Sequence, residues 1–336
     1  MSSPALPLDV FFVSAAEKYY KTRSNIISRS GDFITAPEAS QMFCHSIAAW
    51  IYNKISNIES ISVVELGPGY GTLSDEIITF LKQDIRFIKK IKNFYLLESS
   101  PQMISKQKEK LSKHTEIQFN WIENISDLQK GNFIFIANEF FDALPVKQFI
   151  KTNEVFREIL VDKEGHLVQS DELIEASQME KIMQFSNSKP DDFNDGDIFE
   201  ISISSLSTLN TICEVLERGN VLIIDYGYFT AKRQNTIQAI SQHKILDSFT
   251  QIPGEADISA QVDFGSMMNF LHSRYSEIKQ KSSTQKQFLK ENYMDEIAKK
   301  AMMHAKNDAE LKLVDMELER ILVDMGEIFK VAELQK

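Results

Sequence analysis

The stretch FIFIANEFFDALPV, residues 133–146, runs from four apolar residues and an alanine straight into Asn138 and Glu139, and reaches Asp142 after two phenylalanines. An amide and two carboxylates thus stand at the mouth of what reads as a fully buried strand. Either they do chemistry there, or Asp142 caps the helix or turn that follows and Glu139 simply faces water. A second constellation, Glu65-Leu66-Gly67-Pro68-Gly69-Tyr70-Gly71, closes another apolar strand and opens a helix. A chain at such a turn passes close to a nucleotide, so Cβ atoms are excluded and the free N–H groups of the helix start face the ligand. In the plainer reading the glycines only make a tight turn. Glu98, ending the next strand, stands where one carboxylate could take both ribose hydroxyls, by analogy with the acid of dinucleotide folds, or where it caps the following helix.

The elements that must position these residues follow from periodicity. ISVVEL (61–66), NFYLLE (93–98), IQFNWI (117–122), FIFIA (133–137) and NVLIIDY (220–226) are short and mostly rich in β-branched or aromatic residues, so they are predicted strands. Leu73, Ile77, Ile78 and Leu81 share one helical face, and Ser99-Ser100-Pro101 supplies the cap of a helix carrying Met103, Ile104 and Leu111. Strands alternating with helices imply an α/β fold with a mostly parallel sheet covered on both faces.

The first organised element is expected after GDFITAPE, with Thr35 and Glu38 as a capping box ahead of Phe43, Ile47, Trp50 and Ile51. Between the fourth and fifth strands, VKQFIK, VFREILVD and HLVQ predict a small antiparallel unit, with 171–185 helical and SNSKPDDFNDGD a solvated loop. The span 285–325 reads as helical, and EIFKVAEL as a closing strand. The expected organisation is a helical lid over 1–58, a first half of the core over 59–145, an inserted α+β subdomain over 146–215, and a second half of the core with C-terminal helices over 216–336.

Composition narrows the partners. With 48 acidic against 37 basic residues, a formal charge of −11 argues against a surface for phosphate backbones, so nucleic acid is not expected and a cationic partner is easier to accommodate. Only Cys44 and Cys213 occur, far apart, which supports neither a disulfide framework nor a cysteine zinc site. His243 reads as a structural histidine, and no metal site is proposed. The N-terminus lacks the pattern of a secretory signal and no run of about 18 apolar residues occurs, so a cytoplasmic protein without stable membrane insertion is expected.

The glycine turn has the form E-x-G-x-G-x-G, which resembles motif I of class I S-adenosylmethionine methyltransferases rather than the G-x-G-x-x-G of NAD enzymes. The longer motifs GDFITAPEASQMF, VVELGPGYGTL, YLLESSPQM, IFIANEFFDALPVKQF, LIIDYGY, DISAQVDF, TQKQFL and MGEIFKV occur in the order expected of the MidA family, bacterial relatives of the mitochondrial methyltransferase that assists complex I assembly. The similarity covers residues 17 to 333. It departs from the family pattern at Cys44-His45, where Gly-Glu is common, and at Glu17-Lys18, where a Gly often precedes the Tyr pair.

The resemblance implies a Rossmann-like class I methyltransferase fold with bound S-adenosyl-L-methionine. For the mitochondrial members it also implies methylation of an arginine in a complex I subunit. It implies further that Glu65 lies near the methionine moiety and that the loop after the fourth strand lines the meeting place of donor and acceptor. On that footing Gly67, Gly69, Gly71, Glu65 and Glu98 are expected at the cofactor. Trp121 flanks the adenine or belongs to the core, and the GDFITAPE segment with Thr35 and Glu38 folds over the cofactor. If the acceptor is a guanidinium, Glu139 and Asp142 can hold its planar fork while Asn138 orients either partner. Asp225 and Tyr226, at the end of the fifth strand, are substrate contacts or a turn. The roles of Asp257 and Asp263 do not follow from the sequence.

Three functions stay open at this stage. One is a protein arginine methyltransferase. Another is a cofactor-binding assembly factor whose catalysis is dispensable, and the third is a small-molecule methyltransferase or an NAD oxidoreductase.

Overall fold

The apolar stretches expected to be strands form them. The computed structural model describes residues 5–22, 35–241, 244–245, 254 and 256–336. The chain divides into two compact units, one made of Ile34–Phe140, Thr211–Tyr226 and Glu277–Lys336, the other of Met1–Phe33, Phe141–Asn210 and Gly227–Ser276.

In the first unit, β1 (Ile61–Leu66), β2 (Ile91–Leu97), β3 (Phe119–Ile122), β4 (Gly131–Asn138), β5 (Leu216–Tyr228), β6 (Lys279–Thr284) and β7 (Phe329–Gln335) lie in the order β6-β7-β5-β4-β1-β2-β3. The last two residues of β5 belong to the other unit. Strands β1 to β5 pair in parallel, while β7 runs antiparallel to both β5 and β6. The carboxyl ends of β2, β1, β4 and β5 therefore come out along one edge. Registers Leu66↔Leu97, Leu66↔Ala137 and Asn138↔Ile224 line up Glu98, Gly67, Asn138 and Asp225 there.

Helices α1 (Gln41–Ile55), α2 (Thr72–Leu81) and α3 (Pro101–Leu111) join α4 (Gln285–Glu291), α5 (Met294–His304) and α6 (Asp308–Glu319) around this sheet. Their apolar faces bury Phe43, Ile47, Trp50, Ile77, Leu111, Phe288 and Met294 against the strand residues Val63, Phe94, Ile134 and Val331. Each such side chain contributes about 1.5–3 kcal/mol by leaving water. The one polar atom of Trp50 is satisfied, its indole nitrogen donating to Glu333 on β7 at 2.7 Å.

The expected capping box at Thr35 and Glu38 is not made. The segment Ala36–Ala39 is a single helical turn without a side-chain cap bond, and Ser40 is extended and caps α1 by accepting from the Phe43 N–H. The Glu38 carboxylate is instead taken by the Thr72 hydroxyl, and the extended backbone at Ser40 separates this turn from α1. Residues 31–34 of GDFITAPE, like His243, lie outside the described residues. At the departure from the family pattern, Cys44 is buried and His45 faces Glu76 of α2 across 3.2 Å.

The second unit holds the antiparallel strands Lys147–Thr152, Val155–Val161, Leu167–Gln169 and Ile198–Ile201, as expected of that span. Its helix is shorter than 171–185, covering Ala176–Ile182. A helix at Leu8–Thr22, ahead of the first element expected, belongs to the same unit. Its Leu8, Phe11, Phe12 and Ala15 pack with Val146, Val161, Ile237 and Ile258. Among the described residues no helix is long and apolar enough to cross a membrane.

Candidate active site

At the β1 exit the backbone turns through three left-handed residues, Gly67 at φ +62°, Gly69 at +52° and Gly71 at +78°. A Cβ on Gly67 would lie 3.0 Å from the Phe140 ring, so the glycine is required by packing as well as by conformation. Gly71 is the N-cap residue of α2. Glu65, near the end of β1, is buried and accepts a hydrogen bond from the Ser74 hydroxyl of α2. Burial pushes its carboxyl up to about 7, against the lowering effect of Ser74.

Glu98 follows β2. One carboxylate oxygen accepts from the Ser100 N–H at 2.8 Å and the other from the Gln107 side chain at 3.1 Å, while the cap of α3 is Ser100, whose hydroxyl accepts from the Met103 N–H. Burial raises its pKa while both donors lower it. Gln107, on α3, was not singled out in the sequence. Its Nε2 also donates to the Gly69 carbonyl at 2.8 Å, and its Oε1 accepts from the Trp121 indole at 2.8 Å. The signal was available: Met103, Gln107 and Leu111 form the buried stripe of α3, and a glutamine has no packing reason to stand between a methionine and a leucine. Trp121 is only part-buried, with the Lys108 ammonium 5.1 Å from its ring centre.

Glu38 accepts from the Thr72 hydroxyl at the first residue of α2, and Lys110 of α3 lies 4.0 Å from the same oxygen. It thereby joins the helical turn 36–39 to the start of α2, directly after the glycine turn. Thr35 makes no side-chain cap bond.

The β4 exit is built differently. Glu139 has φ +50°, a left-handed conformation costing a non-glycine residue about 1–3 kcal/mol. It is held there by its N–H donating to Ile224 on β5 at 3.0 Å, and by its carboxylate accepting from the Ala36 N–H at 2.8 Å and the Asn138 amide at 3.2 Å. Burial pushes its carboxyl up to about 7, opposed by those two donors and by the charge of Arg320. The reading in which Glu139 simply faces water does not hold. Asn138 is buried, and its Oδ1 has no hydrogen-bond partner among the described residues.

Asp225 is fully buried and accepts from the Tyr226 N–H at 3.0 Å, while Tyr226 pairs with Phe329 of β7, the ring centres 6.0 Å apart. Asp142 lies in the other unit. It sits in a turn closed by the Leu144 N–H on the Phe141 carbonyl at 3.2 Å, and its own carbonyl accepts from the Ala260 N–H at 2.9 Å. No helix follows it directly, so of the expected capping of a helix or a turn only the turn remains.

A parallel sheet carrying one antiparallel strand between β5 and β6, with a glycine turn after β1 and an acid after β2, defines a class I methyltransferase. A family model described as "Putative S-adenosyl-L-methionine-dependent methyltransferase" matches residues 46–281, and the chain belongs to that family, the MidA-like methyltransferases that its motifs resemble. It is an S-adenosylmethionine-dependent methyltransferase. The chain is 26% identical over 333 residues to "Protein arginine methyltransferase NDUFAF7 homolog, mitochondrial" of Caenorhabditis elegans, covering 91% of this chain and 75% of that one. It is 27% identical over 341 residues to the Xenopus tropicalis protein of the same activity name, covering 93% and 77%. A Burkholderia thailandensis protein solved with S-adenosyl-homocysteine bound shares the fold at a TM-score of 0.83 and 20% identity, over 99% of this chain and 88% of that one.

The edge described above fits this cofactor on its own evidence. The glycine turn offers backbone without Cβ atoms at the start of α2.

Proposed function

We propose that this enzyme methylates an arginine side chain of a protein, with a respiratory complex I subunit the first acceptor to test, and that it acts in the cytoplasm. The observation that carries the proposal is Glu139, a partly buried carboxylate pinned at the β4 exit by the Ala36 N–H and the Asn138 amide. The names of the curated relatives support it.

In this reading the glycine turn Gly67, Gly69 and Gly71, with Glu65, Glu98, Trp121, Thr35 and Glu38, holds S-adenosylmethionine. When bound, the cofactor supplies an electrophilic methyl group. The chain's remaining work is to orient the acceptor and manage its proton. A carboxylate whose pKa burial has brought to about 7 ionises fully once a guanidinium neutralises it. Glu139 therefore grips a cation more strongly than it tolerates an empty pocket. The unpartnered Oδ1 of Asn138 can accept one guanidinium N–H and fix the plane of the fork. Asp142 holds its candidacy from the NEFFDALPV motif, and Asp225 and Tyr226 are proposed substrate contacts at the β5 exit.

The test is to incubate purified enzyme with methyl-labelled S-adenosylmethionine and a lysate lacking the enzyme, then to locate the label by mass spectrometry. Label on arginine residues of a protein is expected. Label confined to lysine or to small molecules contradicts the proposal.

A further inference from the structure

We infer that Gln107 is a positioning residue for the cofactor: one side chain fixes the glycine turn, the acid after β2 and the indole after β3 in mutual register. The inference rests on the assignment of Glu98 to the cofactor. Gln107 is fully buried and all its polar capacity is directed at these three groups, with Nε2 donating to the Gly69 carbonyl at 2.8 Å and to Glu98 at 3.1 Å, and Oε1 accepting from Trp121 at 2.8 Å.

The chemistry of each bond says what it does. Donation to the Gly69 carbonyl holds that oxygen toward α3, at the turn whose three glycines are all left-handed. With the Ser100 N–H on one oxygen of Glu98 and Gln107 on the other, the carboxylate cannot rotate and its remaining lone pairs keep a fixed direction. A hydrogen bond on the indole nitrogen sets the plane of Trp121. An amide is the side-chain group that donates to two oxygens while accepting from a nitrogen, so neither Glu nor Leu can replace it. The charged groups around it are Glu98, together with Lys106, Lys108 and Lys110 of α3. Lys106 lies over the Tyr70 ring, Lys108 over the Trp121 ring, and Lys110 against Glu38.

The experiment measures binding of S-adenosyl-homocysteine by calorimetry to the full chain and to its Gln107→Glu, Gln107→Leu and Glu98→Gln variants. Gln107→Glu keeps the volume and the acceptor for Trp121, loses both donated bonds, and sets a second carboxylate against Glu98. At pH 8 it should weaken binding ~10-fold or more, as loss of a bond to a charged group does. Toward pH 5.5 the two carboxylates share a proton and the ratio to the parent should fall to about 3-fold or less. Filling space alone gives no such pH dependence. Gln107→Leu should weaken binding at both pH values alike.

The parent protein gives a reading that needs no variant. With only Trp50 and Trp121 present, the Trp121 indole N–H resonance should shift on adding S-adenosyl-homocysteine while that of Trp50, bonded to Glu333, should stay. A static Trp121 resonance, or Gln107 variants that bind like the parent while Glu98→Gln binds poorly, overturns the role of Gln107. If Glu98→Gln also binds like the parent, the assignment of Glu98 falls with it.

Discussion

Two carboxylates stand at exits of the same sheet edge, on either side of β1, and are held in opposite ways. Glu98 is bound by the helix that follows it in sequence, through Ser100 two residues on and Gln107 nine residues on. Glu139 is bound across 103 residues by the Ala36 N–H, on a left-handed backbone, beside an amide oxygen left without a partner. The first arrangement is locally satisfied and is suited to presenting one fixed face to a cofactor. The second stores conformational cost and leaves an open acceptor, which suits a group that must change partners during turnover. On one edge, then, the carboxylate proposed for the cofactor and the one proposed for the acceptor differ in how local their support is.

The comparison can be sharpened first at Glu65. Its folded pKa of about 7 lies above the ordinary 4.5. The stability it permits is fully present below pH 4.5 and is lost as pH rises through 7, a difference of about 3 kcal/mol. Chemical denaturation between pH 4.5 and 8 should show that loss in the parent together with a like one from Glu139, and Glu65→Gln should lessen the slope by its own share only. An unchanged slope in the variant would place the burial cost elsewhere, with Glu139 the next group to test.

A smaller effect is expected at the junction of the two exits, where Gly67 packs under Phe140. Gly67→Val introduces a β-branched residue at φ +62° with its Cβ 3.0 Å from that ring, so unfolding free energy should fall by about 2 kcal/mol or more before any ligand is added. Thermal denaturation reads it directly. The same strain makes Gly69, at φ +52°, a poor place to test ligand contact by substitution, because a valine there costs folding as well as binding.

The smallest effect belongs to His45, where the chain departs from its family. Glu76 is held below the usual carboxylate range chiefly by its hydrogen bond to His45, at a site about a fifth exposed. His45→Ala should cost no more than about 1 kcal/mol near neutral pH, a cost that shrinks as pH falls through the carboxylate range of Glu76. A loss that stays the same across that range would mean that the ring acts by packing against Phe80 rather than by pairing with Glu76.

What the sequence made legible tracks locality. Strands β1, β2, β4 and β7 are apolar runs with clear ends. β5 was read from 220 but starts at Leu216, because its first residues include Gly219, where a Cβ would sit 1.9 Å from the Phe133 carbonyl, and a register shift that periodicity cannot reveal. β6, KQKSST, was missed since an edge strand with one face in water carries no apolar alternation, and its lysines are the residues that protect an edge. At the site, Gly67, Gly69, Gly71 and Glu98 were readable from a turn and a strand end. The partner of Glu139 was not, because a backbone N–H at Ala36 has no side-chain signature. The Thr35–Glu38 spacing suggested a capping box, and Glu38 instead bonds Thr72.

The central claim is that Glu139 acts on the acceptor and not on the cofactor. Its most direct test is to measure, on one preparation of Glu139→Gln, both the affinity for S-adenosylmethionine and the single-turnover rate of methyl transfer to an arginine-containing protein substrate. The neutral isostere keeps the size and one acceptor oxygen for the Ala36 N–H and loses the charge. Cofactor affinity should stay within about 3-fold of the parent, while transfer falls by about ten- to more than a hundredfold, the equivalent of roughly 1.5–3 kcal/mol of a charge-assisted contact. Parental transfer by a folded variant, or an affinity that falls in step with the rate, would contradict the account.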